Sequence, residues 1–333
     1  MSTSPKIRIK LIARGRAGNA WRKQLPPSGS FTGECEFVFE PDAQQYDWLV
    51  VVDDISRKLG APTENLKCAD SHTLLVTTEP PTITCFGQAF CSQFHQVLTS
   101  QSEEALPHPR RIYSHTGNFW FNGHRFSEFD EQALPSKSKT LSTVCSSKQQ
   151  KYTIHNDRYQ FSQWLRREIP EMDMYGHGSN YVEQKYDALD PYKFHLAIEN
   201  YRGLHHWTEK LADPYLSGCF PIYYGCANVG DYFPQDSYLE IDINDRKSSL
   251  DSIRGIISDH SFHASRTEAL LEARRRVLYD YNMMHIVEKM VVEQFDPSLK
   301  PSGRPLFNRK QMRLRRPGDA LRLAKWHLKR HLP

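Results

Sequence analysis

The sequence predicts two successive α/β domains of Rossmann-like type, and three observations carry that expectation. Short apolar runs closed by turn residues alternate with helix-compatible stretches, which is the pattern of βαβ units and a mostly parallel sheet. That pattern occurs twice, on either side of a Ser-, Lys- and Pro-containing shift in composition at residues 131–151. The chain has 333 residues, more than one small domain usually takes, with 39% hydrophobic and 25% charged residues. This composition excludes a disordered chain, a collagen-like repeat and a coiled coil.

In the first half, residues 7–12 alternate apolar and basic side chains as a half-buried strand does. Residues 48–52 form a continuous apolar run ending in Asp53-Asp54, and residues 74–78 a second one ending in Glu79-Pro80-Pro81. Residues 97–99 are a short fourth strand. A junction near residue 135 precedes a strand at 140–146, a helix at 159–169 stopped by Pro170, and a strand at 194–198. A helix at 209–216 closed near Gly218, a strand at 220–224 closed by Gly225, and an alternating strand at 238–243 follow. From Leu250 onward the chain is helical, with 267–292 the longest periodic stretch. The expected domains are residues 1–134 and 135–295, facing each other across a central cleft, followed by a basic tail at 296–333.

Several functional classes fall away at once. The longest plainly apolar run, residues 48–52, is far short of the roughly 20 residues a spanning helix needs. Residues 1–12 have no signal-peptide core. The seven cysteines are scattered and form no Cys-x-x-Cys pair, which points to reduced thiols in a cytosolic compartment rather than a zinc site or a disulfide framework. Neither GxGxxG nor a P-loop lysine motif occurs. Asp53-Asp54 and Asp242-Ile243-Asn244 read as strand-end turns, and no metal site is expected there.

Ligands of such sheets sit at the carboxyl ends of strands, so residues just past strands draw attention first. The stretch from Tyr192 to Gly225 is the richest. An apolar strand ends in Glu199-Asn200, a loop holds His205 and His206, and Thr208-Glu209-Lys210 opens a helix. Thr is a good N-cap, and the free N–H groups of a first turn favour an anion. Lys210 opposes the helix dipole there, and a bound diphosphate would compensate it. The same spacing also fits an ordinary capped helix with solvated Glu209 and Lys210. Pro214 requires that this helix be kinked or begin later than Thr208.

These residues resemble the donor-binding region of the α-1,3/1,4-fucosyltransferases of glycosyltransferase family 10, in their bacterial form. The family's ordered elements are matched by Tyr192-Lys193-Phe194, Glu199-Asn200, Thr208-Glu209-Lys210 and Pro221-Ile222-Tyr223-Tyr224-Gly225. Residues 227–234 continue the likeness. Upstream, His155-Asn156-Asp157-Arg158-Tyr159 and residues 172–178 also resemble family segments, and in the first domain the 74–79 strand with Glu79 at its end does so more thinly. Thr78 stands where the family has glycine, and His206 where it commonly has tyrosine.

The resemblance implies a GT-B fold, with an acceptor-binding first domain and a nucleotide-sugar-binding second domain. It implies inverting transfer of L-fucose from GDP-fucose to a hydroxyl of an N-acetylglucosamine-type acceptor in a surface glycan. Arg158 and Lys210 would cradle the diphosphate, Glu209 would contact the ribose, Glu199 and Asn200 would shape the sugar pocket, and His206 and Thr208 would belong to the donor-binding set. Glu79 would be the general base, and no cofactor beyond the donor substrate would be required. The alternatives are another nucleotide-sugar donor on the same fold, or a non-catalytic protein that docks on membranes or polyanions.

Residues 304–333 carry ten Lys and Arg against one acid, Asp319, so the net +4 of the whole chain leaves the remainder acidic at −5. Residues 320–332 place Leu321, Ala324, Leu328 and Leu332 along one helical stripe with basic residues around it. That is the composition of an interfacial helix on an anionic membrane, and it suggests a cytoplasmic protein held peripherally on the inner membrane. A terminal helix packed on the body and a nucleic-acid contact are its rivals; nucleic acid is not expected as a partner.

Overall fold

The computed structural model describes residues 5–13, 18–55, 63–129, 132–147, 150, 152–176 and 180–331. The chain folds into two compact units, one of residues 1–117 with 283–333 and one of residues 118–282. The crossings therefore lie at 117/118 and 282/283 instead of near 135 and 295. Residues 118–134 join the second unit ahead of its first strand, and residues 283–333 return to the first.

In the first unit the strands are β1 (Ile7–Ala13), β2 (Cys35–Val38), β3 (Trp48–Val52), β4 (Thr63–Asn65), β5 (Thr73–Thr77), β6 (Gln96–Thr99) and β7 (Arg111–Tyr113). Six of them form a parallel sheet in the order β2-β1-β3-β5-β6-β7. Strands β3 and β5 are buried along their whole length, as parallel strands covered on both faces must be, hence their unbroken apolar runs. Helices α1 (Gly18–Arg22) and α2 (Gln88–Cys91) are short. Phe86, Phe90 and Phe94 around α2 pack with Leu49, Val51 and Leu75 into one core.

The second unit holds β8 (Lys139–Val144), β9 (Met172–Tyr175), β10 (Tyr192–Ile198), β11 (Phe220–Tyr224) and β12 (Leu239–Glu240), parallel in the order β12-β11-β10-β8-β9. Its helices are α3 (His155–Glu168), α4 (Glu209–Leu216), α5 (Arg246–Ser258), α6 (Phe262–Ser265) and α7 (Thr267–Arg275). The two parallel sheets with their helices are two Rossmann-like α/β units, as the alternating pattern predicts. The expected strand at 238–243 shrinks to two paired residues, because Asp242 turns the chain by accepting from the Asn244 backbone N–H at 2.9 Å. The helical stretch expected at 267–292 is interrupted. A π-helical turn at Arg276–Asp280 follows α7, and α8 (Met283–Gln294) begins a new helix where the chain returns to the first unit.

Beyond α8 come β13 (Pro305–Phe307), α9 (Arg309–Arg315) and α10 (Pro317–His331). β13 pairs antiparallel with β4, and Leu306 and Met312 enter the core of the first unit. Arg309 lies 3.2 Å from Asp54, and the Asp319 carboxylate accepts from the Ala89 and Phe90 N–H groups at the start of α2. Of the rival readings of the tail, the helix packed on the body is the arrangement seen. α10 reaches the body through Asp319, Arg322 and Trp326, whereas Leu321 is 62% and Leu328 68% exposed; Leu332 lies outside the described residues. No helix among the described residues is long and apolar enough to cross a membrane. The seven cysteines form no disulfide.

Candidate functional site

The carboxyl ends of β8 and β10 gather most of the expected donor residues in the second unit. β10 runs straight into Glu199 and Asn200, and β8 into Cys145 and Ser146. Glu199 has no exposed surface. It accepts from the Thr208 backbone N–H at 2.7 Å and from the Thr208 hydroxyl at 2.8 Å, and one of its oxygens lies 3.5 Å from Lys210 Nζ. Burial pushes this carboxyl up from its ordinary range, and Lys210 pulls it back.

Thr208 is the N-cap of α4, with extended backbone, and its hydroxyl oxygen accepts from the Lys210 N–H at 3.3 Å. The helix therefore starts at Glu209, and Pro214, its sixth residue, removes only the bond to the Lys210 carbonyl. Lys210 Nζ donates to Thr208 Oγ1 at 3.1 Å and to Glu209 Oε1 at 3.0 Å. Burial works against the Lys210 charge, but Glu209 and Glu199 outweigh it and hold the ammonium above its usual range. Burial likewise raises Glu209, and Lys210 with Lys185 overrides it, leaving the carboxyl at about 2. Both side chains keep about a fifth to a quarter of their surface exposed, at 21% and 26%.

Arg158 joins this group from the first turns of α3. Its Nη2 donates to Ser146 Oγ at 3.1 Å, its charge acts on Lys210, and its buried Nε has no hydrogen-bond acceptor. The start of α3 is tied to the same edge, because the Ile154 N–H donates to the Asn200 carbonyl at 3.3 Å. The Asn200 side-chain oxygen is buried with no hydrogen-bond donor. His206 is buried with its ring edge-on to Tyr201, and burial lowers its pKa to about 4, so the imidazole is neutral at physiological pH.

Thus Arg158, Glu199, Asn200, His206, Thr208, Glu209 and Lys210 all lie around one sheet edge. Glu199, expected to shape the sugar pocket, instead has its oxygens occupied by Thr208 and Lys210. Three supporting residues escape sequence reasoning. Gly225 leaves room for Glu199, since a Cβ there would lie 2.4 Å from Glu199 Cγ. Lys185 pairs with buried Asp213 at 2.6 Å under α4, and burial raises Asp213 to about 6 despite that partner. Ser146 receives Arg158. Gly225 was legible as a strand terminator and as the end of a family-like element, without its relation to Glu199; Lys185 and Ser146 carry no local signal. Of the segment 172–178, residues 172–175 form β9, and residues 177–178 lie outside the described residues.

Glu79 lies in the first unit, two residues past β5, half-buried. Thr78 is fixed by Asp53, which accepts from its N–H at 2.7 Å and its hydroxyl at 2.5 Å. Asp53 adopts left-handed backbone (φ 63°) to do so. The Gln101 amide donates to the Glu79 carbonyl at 2.8 Å. No group of three or more potential metal ligands occurs among the described residues.

Residues 134–261 match the family model for the C-terminal region of glycosyltransferase family 10 (fucosyltransferase). An alpha-(1,3)-fucosyltransferase of Helicobacter pylori is 35% identical over 74 residues, 22% of this chain and 16% of that protein. An alpha-(1,4)-fucosyltransferase of Arabidopsis thaliana is 45% identical over 53 residues, 16% of this chain and 13% of that protein. The chain thus matches less than a fifth of the length of either relative. A solved alpha1,3-fucosyltransferase with GDP-fucose superposes at a TM-score of 0.47 and 15% identity, covering 85% of this chain and 94% of that one.

Proposed function

We propose that this chain, which carries a glycosyltransferase family 10 domain at residues 134–261, is a fucosyltransferase. In this reading it moves L-fucose from GDP-fucose to a hydroxyl of an N-acetylglucosamine-type acceptor. The observation that carries the proposal is the convergence of Arg158 and Lys210 beside the start of α4, with only Glu199 and Glu209 to balance them. A diphosphate would accept from the guanidinium of Arg158 and the ammonium of Lys210, beside the N-terminal end of the α4 dipole.

The acceptor hydroxyl attacks the anomeric carbon while Glu79 removes its proton. The bond to the diphosphate oxygen breaks on the opposite face, so the configuration inverts. The leaving GDP gains negative charge, which Arg158 and Lys210 offset without a metal ion. Glu209 contacts the ribose. Glu199 acts through Thr208 and Lys210 and does not itself meet the sugar. The exposed leucines of α10, set among basic residues, support peripheral attachment to an anionic membrane on the cytoplasmic side.

His206 favours one second reading, in which the donor is a different nucleotide sugar, because a neutral buried imidazole replaces the family's tyrosine. Incubation with a panel of nucleotide sugars and a GlcNAc-terminated acceptor decides between them. Product from GDP-fucose supports the proposal; product only from another donor supports the second reading.

A further inference from the structure

Within the first unit, α10 and the segments that follow β5 and β6 line an open cavity of about 1120 Å³. Arg316, Arg322, Lys325 and Lys329 line it, against two carboxylates, Asp319 and Glu104. Both carboxylates are already engaged: Asp319 caps α2, and Glu104 accepts from Ser102. Arg322 donates to the carbonyls of Glu104 and Ala105, which leaves its charge unneutralised. Among the described residues no carboxylate pairs with Arg316, Lys325 or Lys329.

The cavity is also tied to the strand edge that bears Glu79. Trp326, in its wall, donates its indole N–H to the Pro81 carbonyl at 2.7 Å, two residues past Glu79. Gln101, another wall residue, holds the Glu79 carbonyl at 2.8 Å. The Trp326 ring, held by that hydrogen bond and edge-on to His327, is part of the wall, and a concave space of this size suits a small molecule.

We infer that this cavity binds an acidic sugar of the acceptor, its carboxylate or other anionic group held by Lys325, Lys329 and Arg316 while Trp326 packs against a ring. The inference rests on the first unit being the acceptor-binding half. It places the substrate among charged glycans, a class to which neither the motifs nor the family domain at 134–261 speaks.

The test is calorimetry on the full chain without any nucleotide, at low and at moderate salt. The probes are glucuronosyl-N-acetylglucosamine and its neutral counterpart glucosyl-N-acetylglucosamine. The acidic disaccharide is expected to bind about tenfold more tightly at low salt, with the margin shrinking as salt screens it. The doubly substituted Lys325→Gln/Lys329→Gln chain is expected to lose that margin, and Trp326→Ala to weaken both sugars. Equal affinity for the two sugars, no binding of either, or an unaltered margin in the double variant overturns the proposal. A double variant that loses binding to phosphatidylglycerol vesicles but keeps the sugar preference also overturns it, in favour of a lipid surface. A GDP titration of the same sample tests the donor-site reading separately, so failure of one is distinguishable from failure of the other.

Discussion

The fully buried carboxylate of Glu199 stands 3.5 Å from the ammonium of Lys210 and accepts two hydrogen bonds from Thr208, binding a strand end to a helix start. Replacing it with Gln keeps the shape and one acceptor oxygen but turns an amide N–H toward Lys210. Glu199→Gln is expected to destabilise the protein by about 1–3 kcal/mol, as for other broken buried polar contacts, and to weaken GDP binding by about tenfold. Urea denaturation and GDP titration read the two effects.

Gly225 and Gly255 make a contrasting pair. A Cβ at 225 falls 2.4 Å from Glu199 Cγ, whereas one at 255, on α5, meets nothing within 4 Å. Gly225→Ala is expected to lose about 1–3 kcal/mol by overpacking and to impair GDP binding through Glu199. Gly255→Ala is expected to gain about 0.5–1 kcal/mol by helix propensity, with GDP binding unaltered. Thermal melts of both variants measure this.

If Glu79 is the base, Glu79→Gln leaves GDP-fucose binding intact and lowers kcat by about a hundredfold or more. Steady-state kinetics with binding measured in parallel check it; a rise in KM at unchanged kcat contradicts the role.

Two buried histidines make the fold acid-sensitive. Burial lowers His195 to about 3 and His206 to about 4, both below the 6.5 of an exposed histidine. The unfolded chain takes up these protons first, so the stability they confer is full above pH 6.5 and is lost as pH falls from 6.5 towards 4. Together they account for a few kcal/mol over that window, an order-of-magnitude figure. Melting temperatures between pH 7 and pH 4.5 are expected to fall, with a shallower slope in His195→Gln.

The carboxylate of Asp319 caps α2 from 230 residues away along the chain. Asp319→Ala is expected to cost about 1–2 kcal/mol, in line with other lost caps, and to hasten proteolysis within α10.

Much of the second unit was legible because its signals are local. The strand at 220–224 and the helix at 209–216 appear where the apolar runs, Thr208 and Gly218 place them. The polar β4 and the three-residue edge strand β7 have too little apolar pattern to be read, and β4 exists through β13, some 240 residues on. Residues 267–292 read as one helix because periodicity continues across Asn282, where the chain leaves one unit for the other. The candidate site residues stand out by their order along the chain, and seven of them gather at one end of the second unit's sheet. That Glu199 serves Lys210 depends on side-chain geometry which residue order does not reveal.

The claim on which the rest depends is that Lys210, held by Glu199, Thr208 and Glu209, meets a nucleotide diphosphate. Titrating GDP into the full chain and into Lys210→Ala tests it most directly. One GDP per chain is predicted, bound at least tenfold more weakly by the variant, a difference of about 1.4 kcal/mol or more. Equal affinity in the two proteins, or no binding of GDP to either, would contradict it.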